Sequence, residues 1–233
     1  MRSYADACGI TRALDVIGER WAIPVIRELV FGPRRYSDLR VALPGVSTNI
    51  LGSRLKELAE AGVVAQRRLP KPAASTVYEL TAWGAELEPT LISLGRWAAH
   101  TPFDLVEQAL SASSFALSLK TTFDPEGAAG VTMDVRLVMN DDVFDVRISA
   151  GTFSICRSLE PESIASQSGM QPSMAPSIQL HGNPKVLADV IHGHADPAES
   201  AACGSVRLEG TPDAVATFAS CFSIPQPPKE GPP

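Results

Sequence analysis

The spacing of the apolar residues changes near Thr101-Pro102, and this change constrains the fold more than any other feature of the chain. Before it, apolar residues recur every three or four positions, as on one face of a helix; after it, many alternate with polar residues, as in half-buried strands. A chain of 233 residues is long enough for two domains with separate cores. We therefore expect an α+β protein with a helical domain over 1–100, a second domain over 104–222 and a disordered, proline-rich tail over 223–233.

The charge of the chain follows the same division. Residues 1–100 contain 13 Lys and Arg against 10 Asp and Glu, whereas residues 101–233 contain 7 against 16. The net charge of the first part is therefore +3 and that of the second part is −9, which together give the net charge of −6 of the whole chain. Because nucleic acid attracts cations and repels anions, any phosphate-binding role belongs to the first hundred residues.

Turn residues divide this first part into short helices. We predict that a first helix ends at Gly18, that a second ends at Phe31-Gly32-Pro33, and that a third begins with Ser37 as its candidate cap. Pro44-Gly45 then turns the chain into a fourth helix. The order is therefore that of a helix-turn-helix.

The fourth predicted helix has one apolar face and one polar face. Ser47 is a good N-cap, and Gly62 is a typical helix terminator. The apolar stripe consists of Leu51, Leu55 and Leu58. The opposite, polar face consists of Asn49, Gly52, Ser53 and Lys56. Such a helix fits the recognition helix of a DNA-binding protein, and it equally fits an ordinary amphipathic surface helix.

Two β-rich segments, Val63–Leu69 and Thr76–Leu80, follow this helix and predict a hairpin. Arg67, Arg68 and Lys71 lie near its tip, where three cations would suit phosphate groups. A solvated charged hairpin is the alternative. Directly after a helix-turn-helix, however, a basic hairpin is typical of a wing.

A long apolar helix is predicted from Thr81 onward, with a break or bend at Pro89. Its apolar residues, Leu87, Leu91, Leu94 and Ala98, recur on one face between Trp83 and Trp97. This face either packs within its own domain or pairs two subunits, and pairing is common among helix-turn-helix proteins.

Several linked motifs then resemble one family. Cys8 is followed by ALDVIGERW (13–21), IRELVFGPRRYSDLR (26–40), LPGVSTNILGSRLKELAEAGVV (43–64) and YELTAWG (78–84). Over residues 8 to about 98 this order is similar to the HxlR-type winged-helix transcriptional regulators of bacteria. The resemblance implies a homodimer, paired through its first helix and the 81–99 helix, that binds a pseudo-palindromic operator in double-stranded DNA.

The same resemblance implies positions for the DNA contacts. The segment Ser47–Lys56 would enter the major groove, and the wing Arg67–Ser75 would lie on the backbone. The candidate DNA-binding residues are Arg34, Arg35, Tyr36, Ser47, Thr48, Asn49, Ser53, Arg54, Lys56, Arg67, Arg68, Lys71 and Ser75. Among them, Asn49 has an amide that can pair with adenine, and Arg54 has a guanidinium that can pair with guanine or touch only phosphate.

Cys8 admits two interpretations. Some regulators that resemble this family sense oxidants or electrophiles through a cysteine at this position, and such a thiol must be exposed with a lowered pKa. A packed, unreactive thiol is the alternative. The four cysteines form no C-x-x-C pair, which fits a reducing compartment and not a disulfide framework.

The second part of the chain predicts a sheet with helices. Alternating residues mark strands around 115–119, 131–139, 144–148 and 153–155, and we expect them to pair antiparallel. After a loop or short helix over 158–176, we predict a strand at 177–180, helices near 184–192 and 197–203, a strand at 206–209 and a helix over 212–222. The expected domain is an antiparallel sheet covered by helices on one face.

This order of elements resembles the sterol carrier protein type-2 fold over about 104–222. Two stretches carry the resemblance as well, VLADVIHG (186–193) and the ending GSVRLEGTPDAVATFASCF (204–222). The resemblance implies that apolar molecules bind between sheet and helices, whereas a solid core is the alternative. The candidate pocket residues are Phe115, Met133, Met139, Phe144, Phe153, Met170 and Met174.

No catalytic set and no cofactor motif is evident, so we expect no enzyme activity. His192 and His194 lie near Asp189 and Asp196, but a helix that ends at Gly193 does not hold four ligands in one geometry. We therefore expect surface or capping histidines and no metal site. The chain contains no membrane-length apolar run and no signal peptide, which predicts a cytoplasmic protein.

Two functions from different classes fit these features. The first is a dimeric transcriptional regulator whose operator binding is modulated by an apolar small molecule. The second is a lipid or acyl carrier, or an enzyme on such a substrate, that uses its winged helix for protein contacts. The +3 charge of the first hundred residues favours the regulator.

Overall fold

A computed structural model describes residues 3–70, 74–99, 101, 107–158 and 176–224. These residues belong to two compact units that divide between Leu94 and Gly95. No helix in the described ranges is long and apolar enough to cross a membrane.

The first unit is a helix-turn-helix followed by a small sheet. Its elements are α1 (Gly9–Ile17), α2 (Ala22–Leu29), β1 (Arg34–Arg35), α3 (Tyr36–Ala42), α4 (Thr48–Glu60), β2 (Val64–Arg68), β3 (Thr76–Leu80) and α5 (Ala82–Ala85). The next helix, α6 (Glu88–Ala98), begins in this unit and continues past the division at Leu94. The strands form an antiparallel sheet in the order β1-β3-β2, so that β1 adds an edge to the predicted hairpin.

Local signals explain both ends of α4. The Ser47 side chain accepts a hydrogen bond from the Ile50 N–H, which satisfies one of the free donors of the first turn. At the other end, Gly62 has φ +79°, and the Val63 N–H donates to the Leu58 carbonyl. A left-handed glycine with this bond pattern closes a helix without steric cost.

Two predictions about the first unit are wrong in detail. Ser37 does not cap α3, because the helix begins one residue earlier and Arg35 occupies the cap position. The helix predicted from Thr81 is two helices, α5 and α6, and Pro89 lies in the first turn of α6. A proline is tolerated there because its missing N–H would have no partner within the helix.

The second unit contains a mixed sheet and helices. Its elements are α7 (Ala112–Thr122), β4 (Thr132–Met139), β5 (Asp142–Ser149), β6 (Thr152–Arg157), β7 (Ile178–Gly182), α8 (Pro184–Ile191), α9 (Pro197–Ala202), β8 (Val206–Glu209) and α10 (Pro212–Ala219). Over the described residues the strand order is β6-β5-β4-β7-β8. β4 and β7 are parallel and the other neighbours antiparallel, so the prediction of a wholly antiparallel sheet is wrong at this pair.

The predicted strand around Phe115 and Leu119 is also wrong, because these residues lie in α7. Ser111 caps the helix by accepting a hydrogen bond from the Ser114 N–H. Every apolar residue of α7 is buried, including Ala116. A segment that is buried on several sides has no clear period, so alternation over five residues does not identify a strand.

The two faces of the second sheet differ in chemistry. Residues that alternate along β4 and β5, such as Val135 and Phe144, are buried. The intervening residues form cross-strand ion pairs on the other face, namely Arg136 with Asp145 at 2.8 Å and Arg147 with Asp134 at 2.7 Å. The buried face carries the core of this unit.

Candidate nucleic-acid interface

Helix α4 presents one buried face and one free face. Leu51, Leu55 and Leu58 are at most 1% exposed and anchor the helix in the core of the first unit. On the opposite side, Asn49, Ser53 and Lys56 are exposed. The predicted polarity of this helix is therefore present in the structure.

Two further residues of this free face bear on its function. Ile50 is exposed although it is apolar, and sequence reasoning missed it because it precedes the Leu51 stripe by one position. A Cβ added at Gly52 would meet no heavy atom within 4 Å, so the fold of this unit does not require a glycine there. A missing side chain lets another surface approach the helix closely.

The first turn of α4 contains no acidic residue. The N-terminus of a helix carries partial positive charge, and carboxylates are commonly placed there because they are stabilising. At α4 only the neutral hydroxyl of Ser47 caps this end. The positive end of the helix therefore remains available to an external anion such as phosphate.

Helix α3 and strand β1 hold the beginning of α4. The Tyr36 hydroxyl donates a hydrogen bond of 2.7 Å to the Thr48 carbonyl, so the Tyr36 side chain positions α4. Arg35 is exposed, and its backbone N–H donates to Asp38. Arg34 is half-buried and lies opposite Tyr78 in the sheet.

Arg54 does not lie on the free face. Its side chain is only 11% exposed, and its guanidinium pairs with Glu57 and, at 3.7 Å, with Glu19. Glu57 also accepts a hydrogen bond from the Ser53 hydroxyl at 2.9 Å. The structure therefore ties Arg54 to the turn between α1 and α2, away from Asn49.

The wing carries fewer free cations than the sequence suggested. Arg67 donates two hydrogen bonds of 2.8 Å to Glu79, and this pairing raises the pKa of Arg67 and lowers that of Glu79. Arg68 is exposed, whereas the Ser75 hydroxyl is buried. Lys71 lies outside the described residues. Arg67 and Arg68 are both exposed, and Arg67 is the one that Glu79 holds in an ion pair.

Cys8 precedes α1 and is exposed. The backbone N–H groups of Ile10 and Thr11, in the first turn of α1, lower the pKa of its thiol. Hydrogen bonds with Ser205 lower the pKa of Cys203, whereas burial raises the pKa values of Cys156 and Cys221. The helix N-terminus thus supplies the electropositive setting that the side chains around Cys8 lack.

The candidate pocket residues of the second unit lie in packed surroundings. Phe115, Met133, Met139 and Phe144 are buried, and the Phe153 ring lies 5.6 Å from that of Phe222. Met170 and Met174 lie outside the described residues. The structure thus places five of the seven candidate residues in or beside the core.

His192 and His194 lie at the C-terminal end of α8 and just after it. No group of three or more potential ligands lies together in the described part of the chain. His194 pairs with Asp189 at 3.6 Å, and His192 follows α8 as its C-cap. Burial, together with the neighbouring His194, lowers the pKa of His192 and favours its neutral form.

Comparisons with known proteins match the first part of this chain. The family model for the HxlR-like helix-turn-helix matches residues 16–102. YvaP of Bacillus subtilis, described as an uncharacterized HTH-type transcriptional regulator, is 36% identical over 89 residues, which are 38% of this chain and 82% of YvaP. YodB of the same organism, an HTH-type transcriptional regulator, is 31% identical over 37% of this chain and 77% of its own length. The solved structure of reduced YodB has a TM-score of 0.38 and 29% identity, and it covers 42% of this chain and all of that chain.

Proposed function

This chain belongs to the HxlR-like helix-turn-helix family, and from this premise we propose that it is a transcriptional regulator that binds double-stranded DNA through α4. The observation that carries the proposal is the polarity of α4. Its leucines are buried, Asn49, Ile50 and Ser53 are exposed, and its first turn contains no carboxylate. A polyanion is the natural partner of such a helix end.

The contacts that we propose divide into two kinds. Asn49 and Ser53 contact base edges, since amides and hydroxyls can pair there, and Ile50 packs on a thymine methyl group. Arg35, Lys56 and Arg68 are exposed cations that contact phosphate. Tyr36 and Arg54 position α4 from within the protein.

A homodimer is part of this proposal. Ile10 on α1 is 73% exposed and Trp97 on α6 is 74% exposed, although both are large and apolar. Trp83 and Leu94 are also exposed. Pairing through α1 and the 81–99 segment would bury these side chains, and a twofold dimer would read a pseudo-palindromic operator.

The second unit is proposed as a regulatory domain of the sterol-carrier type. An apolar molecule held by its Phe and Met residues would act on DNA binding only if it favoured one state of the regulator over another. The alternative of a lipid or acyl carrier assigns this unit the main activity. Added fatty acid would change operator affinity under the first hypothesis. Under the second, the winged helix serves protein contacts, so no sequence-selective operator binding would be found.

Binding to DNA from the upstream region of the protein's own gene tests the function. We expect sequence-selective binding whose affinity falls as salt rises, with a slope of roughly −0.9 for each phosphate contact in a plot of log affinity against log salt. Fluorescence anisotropy at several salt concentrations, with a scrambled fragment as control, measures both properties. Equal affinity for both fragments, or no binding, would contradict the proposed function.

We predict that Glu79→Gln strengthens DNA binding by freeing Arg67. Because the folded pKa of Glu79 lies below its ordinary value, the ion pair persists at neutral pH and is lost only as pH falls through that lowered pKa. The variant removes the pair at neutral pH, and Arg67 then reaches a phosphate. The salt slope should become steeper by about 0.9.

Glu209→Gln is the matched control for this change. Arg207 pairs with Glu209 at 2.6 Å in the second unit, so the variant frees an arginine there with the same change in charge. We expect its salt slope to equal that of the wild type. If Glu79→Gln behaved in the same way, Arg67 would have only a structural role in the wing.

Thiol sensing by Cys8 is a second candidate function, favoured by its exposure and lowered pKa. We expect iodoacetamide at neutral pH to label Cys8 and Cys203 faster than Cys156 and Cys221, because only a thiolate reacts and burial disfavours it. Peptide mass spectrometry of one labelled sample gives all four rates. Equal rates would remove the chemical basis of the hypothesis.

The regulatory part of this hypothesis requires a DNA measurement. Oxidant should release wild-type protein and Cys203→Ser from the operator, whereas Cys8→Ser should remain bound. Cys203 is the suitable control because it is also exposed with a lowered pKa. Release of Cys8→Ser at the same oxidant concentration would exclude Cys8 as the sensor.

A further inference from the structure

A cavity of about 630 Å³ lies in the first unit between the N-terminal segment, α1 and the second half of α4. Its volume is within the range of pockets that hold drug-sized molecules, roughly 300–1,000 Å³. The cavity is separate from the candidate pocket of the second unit, because all its lining residues belong to residues 3–61.

Carboxylates outnumber cations in the cavity wall. The wall contains four carboxylates, those of Asp15, Glu19, Glu57 and Glu60. Arg54 is the one cation among these lining residues, and its guanidinium pairs with Glu57 and Glu19. Outside the lining, Lys56 pairs with Glu60 at 3.8 Å, and both side chains of this pair are largely exposed. A molecule that enters the cavity therefore meets a surplus of carboxylate charge.

The same wall contains apolar and aromatic surface. Tyr4, Leu14 and Val16 line the cavity, and the first two are exposed although they are large. An aromatic ring attracts cations through its face, and aliphatic side chains favour an apolar body. Anions are disfavoured here, and a small hydrated cation would gain nothing from the apolar surface.

We propose that this cavity binds a lipophilic cation, which is a molecule with positive charge on an apolar or aromatic body. The carboxylates attract the charge, and Tyr4, Leu14 and Val16 cover the body. This occupant is the one that matches both the charge and the apolar lining.

The position of the cavity connects this site to α4. Arg54, Glu57 and Glu60 belong to the second half of the helix whose first half carries Asn49. The ion pair from Arg54 to Glu19 fastens α4 to the turn after α1, and a bound cation competes with Arg54 for the same carboxylates. Occupancy therefore loosens α4 and weakens the DNA complex, a coupling that rests on the proposed function.

Tetraphenylphosphonium and tetraphenylborate are suitable probes, because they have nearly the same size and shape and opposite charge. Equilibrium dialysis of the full-length protein without DNA measures their binding. We expect tetraphenylphosphonium to bind and tetraphenylborate not to bind. Raising the salt concentration should weaken the binding, since the carboxylates lie near solvent.

Three variants locate the site. Glu57→Gln combined with Glu60→Gln should weaken tetraphenylphosphonium binding roughly fivefold, because exposed charge pairs contribute modestly. Ala61→Leu fills the wall, leaves every charge in place and should weaken binding at least as much. Glu126→Gln, in the second unit, removes one exposed carboxylate outside the cavity and should leave the affinity unchanged.

The last measurement adds operator DNA. Tetraphenylphosphonium should reduce the operator affinity of the wild type several-fold and that of Ala61→Leu much less. Equal binding of the two probes, unchanged binding to the cavity variants, or unaltered operator affinity in the presence of bound probe would overturn the proposal. Absence of operator binding without any probe would instead refute the proposed function, while the dialysis would still test the cavity.

Discussion

Asn49→Asp should weaken operator binding by roughly 100-fold and leave the fold at least as stable as before. The substitution removes an amide that can pair with a base, worth roughly 1–3 kcal/mol, and turns a carboxylate toward the polyanion. In the free protein the same carboxylate lies in the first turn of α4, which contains no acidic residue. A negative charge there stabilises a helix by about 0.3–1 kcal/mol.

Weaker operator binding together with unchanged or higher stability would show that the N-terminal end of α4 contacts DNA. Thermal unfolding and DNA binding should be measured on the same preparation. Asn183→Asp is the matched control, because Asn183 caps α8 in the second unit and its side chain accepts from the Lys185 N–H. If Asn49→Asp bound the operator as tightly as the wild type, this face of α4 would not contact DNA.

Leu55→Ala should destabilise the first unit by about 2–5 kcal/mol, the usual cost of removing a buried leucine side chain. Leu55 is 1% exposed at the centre of the stripe that fastens α4 to the core. For a unit of this size each kcal/mol lowers the melting temperature by roughly 4–8 °C. The variant should therefore lose operator binding at temperatures at which the wild type still binds.

The neighbouring Lys56→Ala provides the comparison, since Lys56 is exposed on the same helix. Its stability should change by less than about 0.5 kcal/mol, as for most surface substitutions. Near-ultraviolet circular dichroism, which reports tertiary packing, and operator binding should both be followed against temperature. Equal melting temperatures of Leu55→Ala and Lys56→Ala would show that the leucine stripe of α4 does not anchor the helix.

Local sequence signals predicted most of the first unit. The cap Ser47, the terminator Gly62 and the leucine stripe act within one helix, so their effect can be derived without a tertiary structure. The linked motifs predicted the HxlR-type family, which the comparisons confirm over residues 16–102. The likeness of the second unit to a sterol carrier fold stays a prediction.

The errors in the second unit have a common physical cause. Whether α7 is a helix and whether β7 runs parallel to β4 depend on contacts between residues far apart in the chain. The residues around Phe115 are buried on several sides, so their pattern carries no single period. Strand direction depends on the path of the intervening chain and not on the strand residues themselves.

By itself, the sequence determined where α4 begins and ends, which face of α4 is apolar and which part of the chain is basic. Only the tertiary structure decided that Arg54 and Arg67 are held in ion pairs. Arg54 and Arg67 are arginines, a residue type that suits DNA contacts. In the structure, however, Arg54 pairs with Glu19 and Glu57, and Arg67 pairs with Glu79. An ion pair such as Arg67 with Glu79 depends on distance in space, which the fold sets and which spacing along the chain does not reveal.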